Sequence, residues 1–109
     1  MGTALYISIK DAPKDLDTFM NGKSLARAWE AFNPIAAKLG LPNFDKLCST
    51  AWKSPEKGLQ TFTAYLAYLQ QHPESMPDSA EVIGDLEDVI RLIGEAQKLG
   101  TKWRLLLDY

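Results

Sequence analysis

One thiol, Cys48, and one imidazole, His72, are all that this 109-residue chain offers of those groups. A structural zinc site needs four ligands, commonly Cys or His, so that class is excluded. Cys48 also has no partner for an intrachain disulfide, which points to a reducing compartment. Nothing flanking Cys48 or His72 resembles a nucleophile or base signature, and the expected roles are a small buried apolar group and a helix-end residue. Basic clusters are missing too. Twelve Lys and Arg stand scattered against fourteen Asp and Glu, a net charge of −2. Affinity for phosphate backbones needs a concentrated basic surface, so nucleic acid is not the expected partner. No apolar run approaches the roughly eighteen residues of a membrane span, and no charged N-terminal segment leads into one. A cytoplasmic protein without a membrane partner is the expectation, and there are no internal repeats or low-complexity segments.

What is present is a frame. Leu5, Ile7 and Ile9 alternate with Tyr6, Ser8 and Lys10, while Trp103, Leu105 and Leu107 alternate with Arg104 and Asp108. Spacing of two places each apolar set on one face of a strand, so both ends of the sequence belong to the core. With 46% hydrophobic and 24% charged residues, the composition suits one globular domain over residues 1–109.

Between the strands the period changes to that of a helix. Leu25, Ala28, Trp29, Phe32, Ile35, Ala36 and Leu39 share a face, predicting one helix from about residue 23 to 39, kinked at Pro34 and stopped by Gly40. A short turn is expected over Asn43 to Cys48. Ser54 as N-cap, Pro55 and Glu56 open a second helix whose inward face is Leu59, Phe62, Leu66 and Leu69, ending near His72. Asp78 and Glu81 open a third, with Val82, Ile83, Leu86, Val89, Ile90, Ile93 and Ala96 inward and Gly100 as its stop. The predicted fold is α+β, three main helices on one face of a small sheet made from the N- and C-terminal strands. Three helical reversals would make those strands parallel.

Several constellations compete for a function. Gly22-Lys23-Ser24 matches the end of a phosphate-binding loop, and Leu105-Leu106-Leu107-Asp108 resembles the strand whose Asp holds magnesium in such enzymes. Asp17, however, stands where that motif needs its first glycine, and about a dozen residues separate strand from loop instead of none. An EF-hand frame from Asp15 meets Phe19 and Met20 at its fifth and sixth positions, and a frame from Asp17 meets Phe19 third. Neither holds calcium. Glu81, Asp85 and Asp88 form either an acidic patch or a solvated face, with Glu87 to Arg91 as an i,i+4 pair. On the second helix Tyr68 points away from the apolar stripe and Tyr65 lies at its border, so Tyr68 is a candidate contact residue.

Lys102 to Tyr109, together with Ala4 to Ile9 and Glu56 to Thr61, resembles a family of small bacterial proteins to which no function is attached. The resemblance implies a bacterial source and carries no site residues. A two-stranded sheet leaves two open edges, which favours pairing with another chain. The expected function is therefore a non-catalytic protein-interaction module without cofactor or metal, homodimeric through its sheet, with Tyr6, Leu106 and Tyr68 as interface candidates. The alternatives are a degenerate P-loop-like nucleotide-binding enzyme using Lys23, Ser24 and Asp108, and a small apolar-ligand binder lined by residues such as Trp29 and Trp103.

Overall fold

The computed structural model describes residues 3–108, and side chains through residue 107. Strand β1 (Ala4–Ile9) pairs with β2 (Trp103–Asp108) in the register Leu5 to Leu107, Ile7 to Leu105 and Ile9 to Trp103. Leu5, Ile7, Ile9, Trp103 and Leu105 are buried, while Tyr6 between them is 39% exposed, so helices cover one face as the alternation requires. The strands run antiparallel, not parallel. The described residues form five helices, α1 (Lys23–Arg27), α2 (Phe32–Leu39), α3 (Phe44–Leu47), α4 (Pro55–Gln71) and α5 (Ser79–Leu99), and the parity count fails because it took every helix as one full reversal, which short helices such as α1 and α3 need not be. Closure of the sheet at its Ile9 end confirms the direction, with the Lys10 amide donating to Lys102 O at 2.9 Å and the Thr101 hydroxyl donating to Lys10 O at 2.9 Å.

The expected kinked helix is instead two helices separated by a 3-10 turn at Trp29–Ala31. Proline is the reason. A continuous helix would need an amide hydrogen at Pro34 to bond Glu30, and the ring would press on that carbonyl. Restarting at Phe32 puts Pro34 in the first turn of α2, where an amide hydrogen has no intrahelical partner anyway. The turn after Pro42 forms as expected, with the Asn43 side chain capping α3 by accepting from the Lys46 amide at 3.1 Å.

Both long helices are rotated from the faces that their leucines and isoleucines suggest. On α4 the buried side is Gly58, Thr61, Phe62, Tyr65 and Leu69, and Leu59 and Leu66 are only half-buried. Tyr65 is fully buried rather than marginal, packed edge-on to Phe32 with centroids 5.0 Å apart, and its hydroxyl donates to Pro42 O at 2.7 Å. That one satisfied hydroxyl is what allows a phenol at a core position. On α5 the buried set includes Leu92 and Asp85, while Ile83 and Ile90 sit at the margin.

Asp85 is the clearest departure from the pattern. At 6% exposure it is no part of an acidic patch; its Oδ2 accepts from the Leu25 amide at 3.0 Å, across 60 residues of sequence. Helix α1 begins at a glycine, which has no side chain to cap it, so α5 supplies the carboxylate. A backbone hydrogen bond to a charged acceptor contributes about 1.5–3 kcal/mol. Arg91 likewise leaves Glu87. It lies 3.9 Å from Asp88 and donates to the carbonyls of Asp17 and Phe19 at 3.2 and 3.1 Å, tying the long loop to α5.

The sheet edges are mostly closed, contrary to expectation. Beyond β2, Ser49 N donates to Leu105 O at 3.2 Å, and Lys53 and Trp103 exchange both backbone bonds at 2.8 and 3.1 Å. Beyond β1, the Leu5 amide donates to Gly22 O at 3.0 Å. By the alternation of an antiparallel pair, the Ile7 and Ile9 amides share that outer side. Among the described residues no backbone group accepts from them there.

Candidate functional site

A concavity lies where α3, the connection from residue 48 to 54 and the start of α4 meet β2. It is a cavity of about 590 Å³ lined by Pro42, Lys46, Leu47, Lys53, Lys57, Thr61 and Trp103 among others. Its base is set by Trp103. That residue is pinned through its backbone to Lys53, and its indole nitrogen donates to Ser54 O at 3.1 Å. The ring leaves no room beside it on α4: a Cβ at Gly58 would sit 2.5 Å from Trp103 Cζ2. Glycine inside a helix costs about 1 kcal/mol relative to alanine, and here close packing of indole against backbone is the return.

The rim is cationic. Lys46 from α3, Lys53 from the connection and Lys57 from α4 face the cavity, with Glu56 the opposing charge. Among the described residues the ion pairs are His72 with Glu74, Arg91 with Asp88, and Lys98 with Glu95, so none of the three rim lysines has a carboxylate within 4.0 Å. Helix α4 adds its positive end. Ser54 occupies the N-cap position but its side chain makes no capping bond, and Ser54, Glu56 and Lys57 from this start of a 17-residue helix line the cavity. The stems of the lysines, with Pro42 and Leu47, form apolar walls below the ammonium groups.

Lys53 is the inner cation, half-buried, with Nζ 3.5 Å from Ala51 O and 5.7 Å from the Trp103 ring centroid. Burial lowers its pKa below the ordinary lysine value, and the nearby Cys48 partly offsets this. Burial raises the Cys48 pKa, opposed by Lys53 and by a backbone hydrogen bond from Leu107, so the sulfur rests as a thiol. His72 is not its partner. It stands at the far end of α4, about 25 Å of helix away, its ring tilted by 42° against Tyr68 with centroids 4.8 Å apart.

The other candidates lie apart. Tyr6 and Leu106 are direct cross-strand partners on the outward sheet face, beside Arg104, whose guanidinium stacks 4.2 Å over Trp52 and donates to Thr50 O at 3.2 Å. Tyr68 does not join them: it is half-buried on α4, its hydroxyl accepting from Lys38 Nζ at 3.4 Å. Trp29 does not line the cavity, since its indole donates to Asp45 Oδ1 at 2.7 Å and packs edge-on to Phe44. Trp103 does line it. Phe19, 78% exposed, is a further apolar surface residue; it adjoins Met20, which shares a groove with Tyr6.

At Gly22-Lys23-Ser24 the geometry is that of a packing corner. Gly22 has a left-handed backbone (φ 67°), and a Cβ there would lie 1.8 Å from Leu5 O. The Leu25 amide that a phosphate would seek is bonded to Asp85, and the Ser24 hydroxyl accepts from Arg27 at 3.1 Å. The Asp108 side chain lies outside the described residues. Among the described residues no three His, Cys, Asp or Glu side chains converge on a point that would hold a metal, and no helix is long and apolar enough to cross a membrane.

Sequence reasoning missed the lysine rim because Lys46, Lys53 and Lys57 belong to three different elements. A signal was present in Gly58, a glycine inside a helix with no capping role, which implies that something large lies against it. Comparison with protein-family models, with curated proteins and with solved structures finds no match to this chain.

Proposed function

We propose that this protein is a non-catalytic binding module whose ligand is a small molecule or side chain carrying an anionic group on an apolar body. The observation that carries this reading is three lysines without carboxylate partners among the described residues, around one cavity with apolar walls. Like charges held together repel, and an anion relieves that repulsion while using the first amides of α4. The volume suits a ligand of one or two rings, within the few hundred Å³ typical of small-molecule sites. Calorimetric titration with 1-naphthyl phosphate tests it. Saturable binding at one site, weakened by salt and absent for uncharged naphthalene methanol, supports the reading; no heat of binding at millimolar ligand sinks it.

Self-association through the sheet is a second reading, supported by the Tyr6 and Leu106 pair beside the outer amides of Ile7 and Ile9, which have no acceptor among the described residues, with the exposed Phe19 next to Met20 in the groove beside Tyr6. A second copy would extend β1 outward and cover those apolar groups. Light scattering during size exclusion distinguishes a dimer that Tyr6→Asp dissociates from a monomer at high micromolar concentration, which ends this reading.

A further inference from the structure

The cavity holds an amine placed differently from every exposed lysine. Lys53 is rooted by two backbone hydrogen bonds to Trp103, at 2.8 and 3.1 Å, so the base of its side chain is fixed in the wall. The residue is half-buried, its ammonium has no carboxylate within 4.0 Å among the described residues, and the one hydrogen bond of that group is a long one to Ala51 O at 3.5 Å. We propose that Lys53 captures anionic aromatic aldehydes from solution as a reversible imine. The inference rests on the binding reading above and adds the chemistry of its innermost residue.

The charged and titratable groups around that amine are Lys46 from α3, Lys57 and Glu56 from α4, and Cys48 from the connection. Lys46 and Lys57, with the amides that open α4, take the anionic group; Lys53 lies deeper and meets the carbonyl. A lysine is nucleophilic only as the neutral amine, and removal from water favours that form. Burial acts on Lys53 in this direction. The step itself is balanced without oxidant or reductant. The Nζ lone pair forms a bond to the carbonyl carbon, the carbonyl electron pair moves to oxygen, and a proton passes from nitrogen to that oxygen. The carbinolamine then expels the oxygen as water, taking a second proton, and leaves a C=N bond to Lys53. Lys46, Lys57 and Cys48 are competing nucleophiles around the cavity; the two lysines are exposed, and burial keeps Cys48 as the less reactive thiol.

Two probes separate this proposal from the reading beneath it. Pyridoxal 5′-phosphate carries the aldehyde, and pyridoxine 5′-phosphate carries an alcohol in its place. After incubation with the aldehyde at neutral pH, cyanoborohydride reduces any imine to a stable secondary amine, which peptide mass mapping locates. Lys53 is expected to carry about tenfold more label than Lys98, whose side chain is 77% exposed. Lys53→Arg, which keeps the positive charge and the backbone bonds to Trp103, should lose that label while still binding the alcohol, and Lys53→Met should lose it as well and bind the alcohol more weakly, one rim cation being gone. Label spread evenly over the lysines, with the alcohol bound in the cavity, overturns the imine and leaves the cavity reading intact. Binding of neither compound overturns both.

Discussion

Two helix starts in this protein invert their appearances. Helix α1 opens with Gly-Lys-Ser, which reads as a place for phosphate, yet its amide is already bonded to the buried carboxylate of Asp85 and its glycine is pressed against Leu5 O. Helix α4 opens with Ser-Pro-Glu-Lys-Gly, which reads as an ordinary start, yet it has no side-chain cap and borders a cavity whose three lysines have no carboxylate partner among the described residues. A local motif describes what a loop offers; only the tertiary neighbours decide whether the offer is already taken. Asp85 arrives from 60 residues away, and so do not the lysines of the rim, which come from a stretch of twelve residues.

The closed corner should be the more fragile of the two. Gly22→Ala combines a left-handed backbone with a Cβ forced into a strand carbonyl, and is expected to cost about 4 kcal/mol in urea unfolding. On the open side, Tyr65 holds the Pro42 carbonyl at the cavity wall, and burial pushes its pKa from 10.0 up to about 12. Below pH 10 both folded and unfolded states keep the proton. Between 10 and 12 the unfolded chain ionises first, so stability falls as pH rises, by up to about 2–3 kcal/mol, and levels above the folded pKa. Tyr65→Phe should flatten that alkaline slope; a slope unchanged in the variant assigns it to other groups.

Asp85→Ala leaves the Leu25 amide buried without an acceptor and should cost about 2 kcal/mol, with no effect on ligand binding. If its stability matches the wild type, the carboxylate is not the cap of α1. Gly58→Ala drives a methyl into the Trp103 indole, costing about 1–2 kcal/mol and reshaping the cavity base, so affinity should fall along with stability. The smallest effect on folding belongs to Lys46→Met and Lys57→Met, each within about 0.5 kcal/mol of the wild type because both are exposed and unpaired. Chemical denaturation curves check all of these on one scale.

The frame was legible in the sequence where period and punctuation were strong. Alternation marked both strands, Pro55 and Gly100 marked ends of α4 and α5, and Asn43 marked a turn that proved to be a capped helix. What stayed hidden depended on contacts between distant residues. Strand direction depended on how the short helices and the turns between them orient the chain, which a count of reversals does not capture. The rotation of α4 towards Gly58 and Tyr65 could not be read from leucine spacing, because an indole and a backbone carbonyl from elsewhere in the chain select that face. Asp85 looked like one of three surface acids, since nothing near it in sequence announces the uncapped helix that it serves.

The central claim, that the site lies at α4 and not at α1, is tested by one comparison of 1-naphthyl phosphate affinity. Lys46→Met with Lys57→Met should weaken binding about tenfold or more, while Lys23→Met leaves it unchanged. Loss of binding in Lys23→Met, with the double variant behaving as wild type, would contradict the account and return the site to the Gly-Lys-Ser corner.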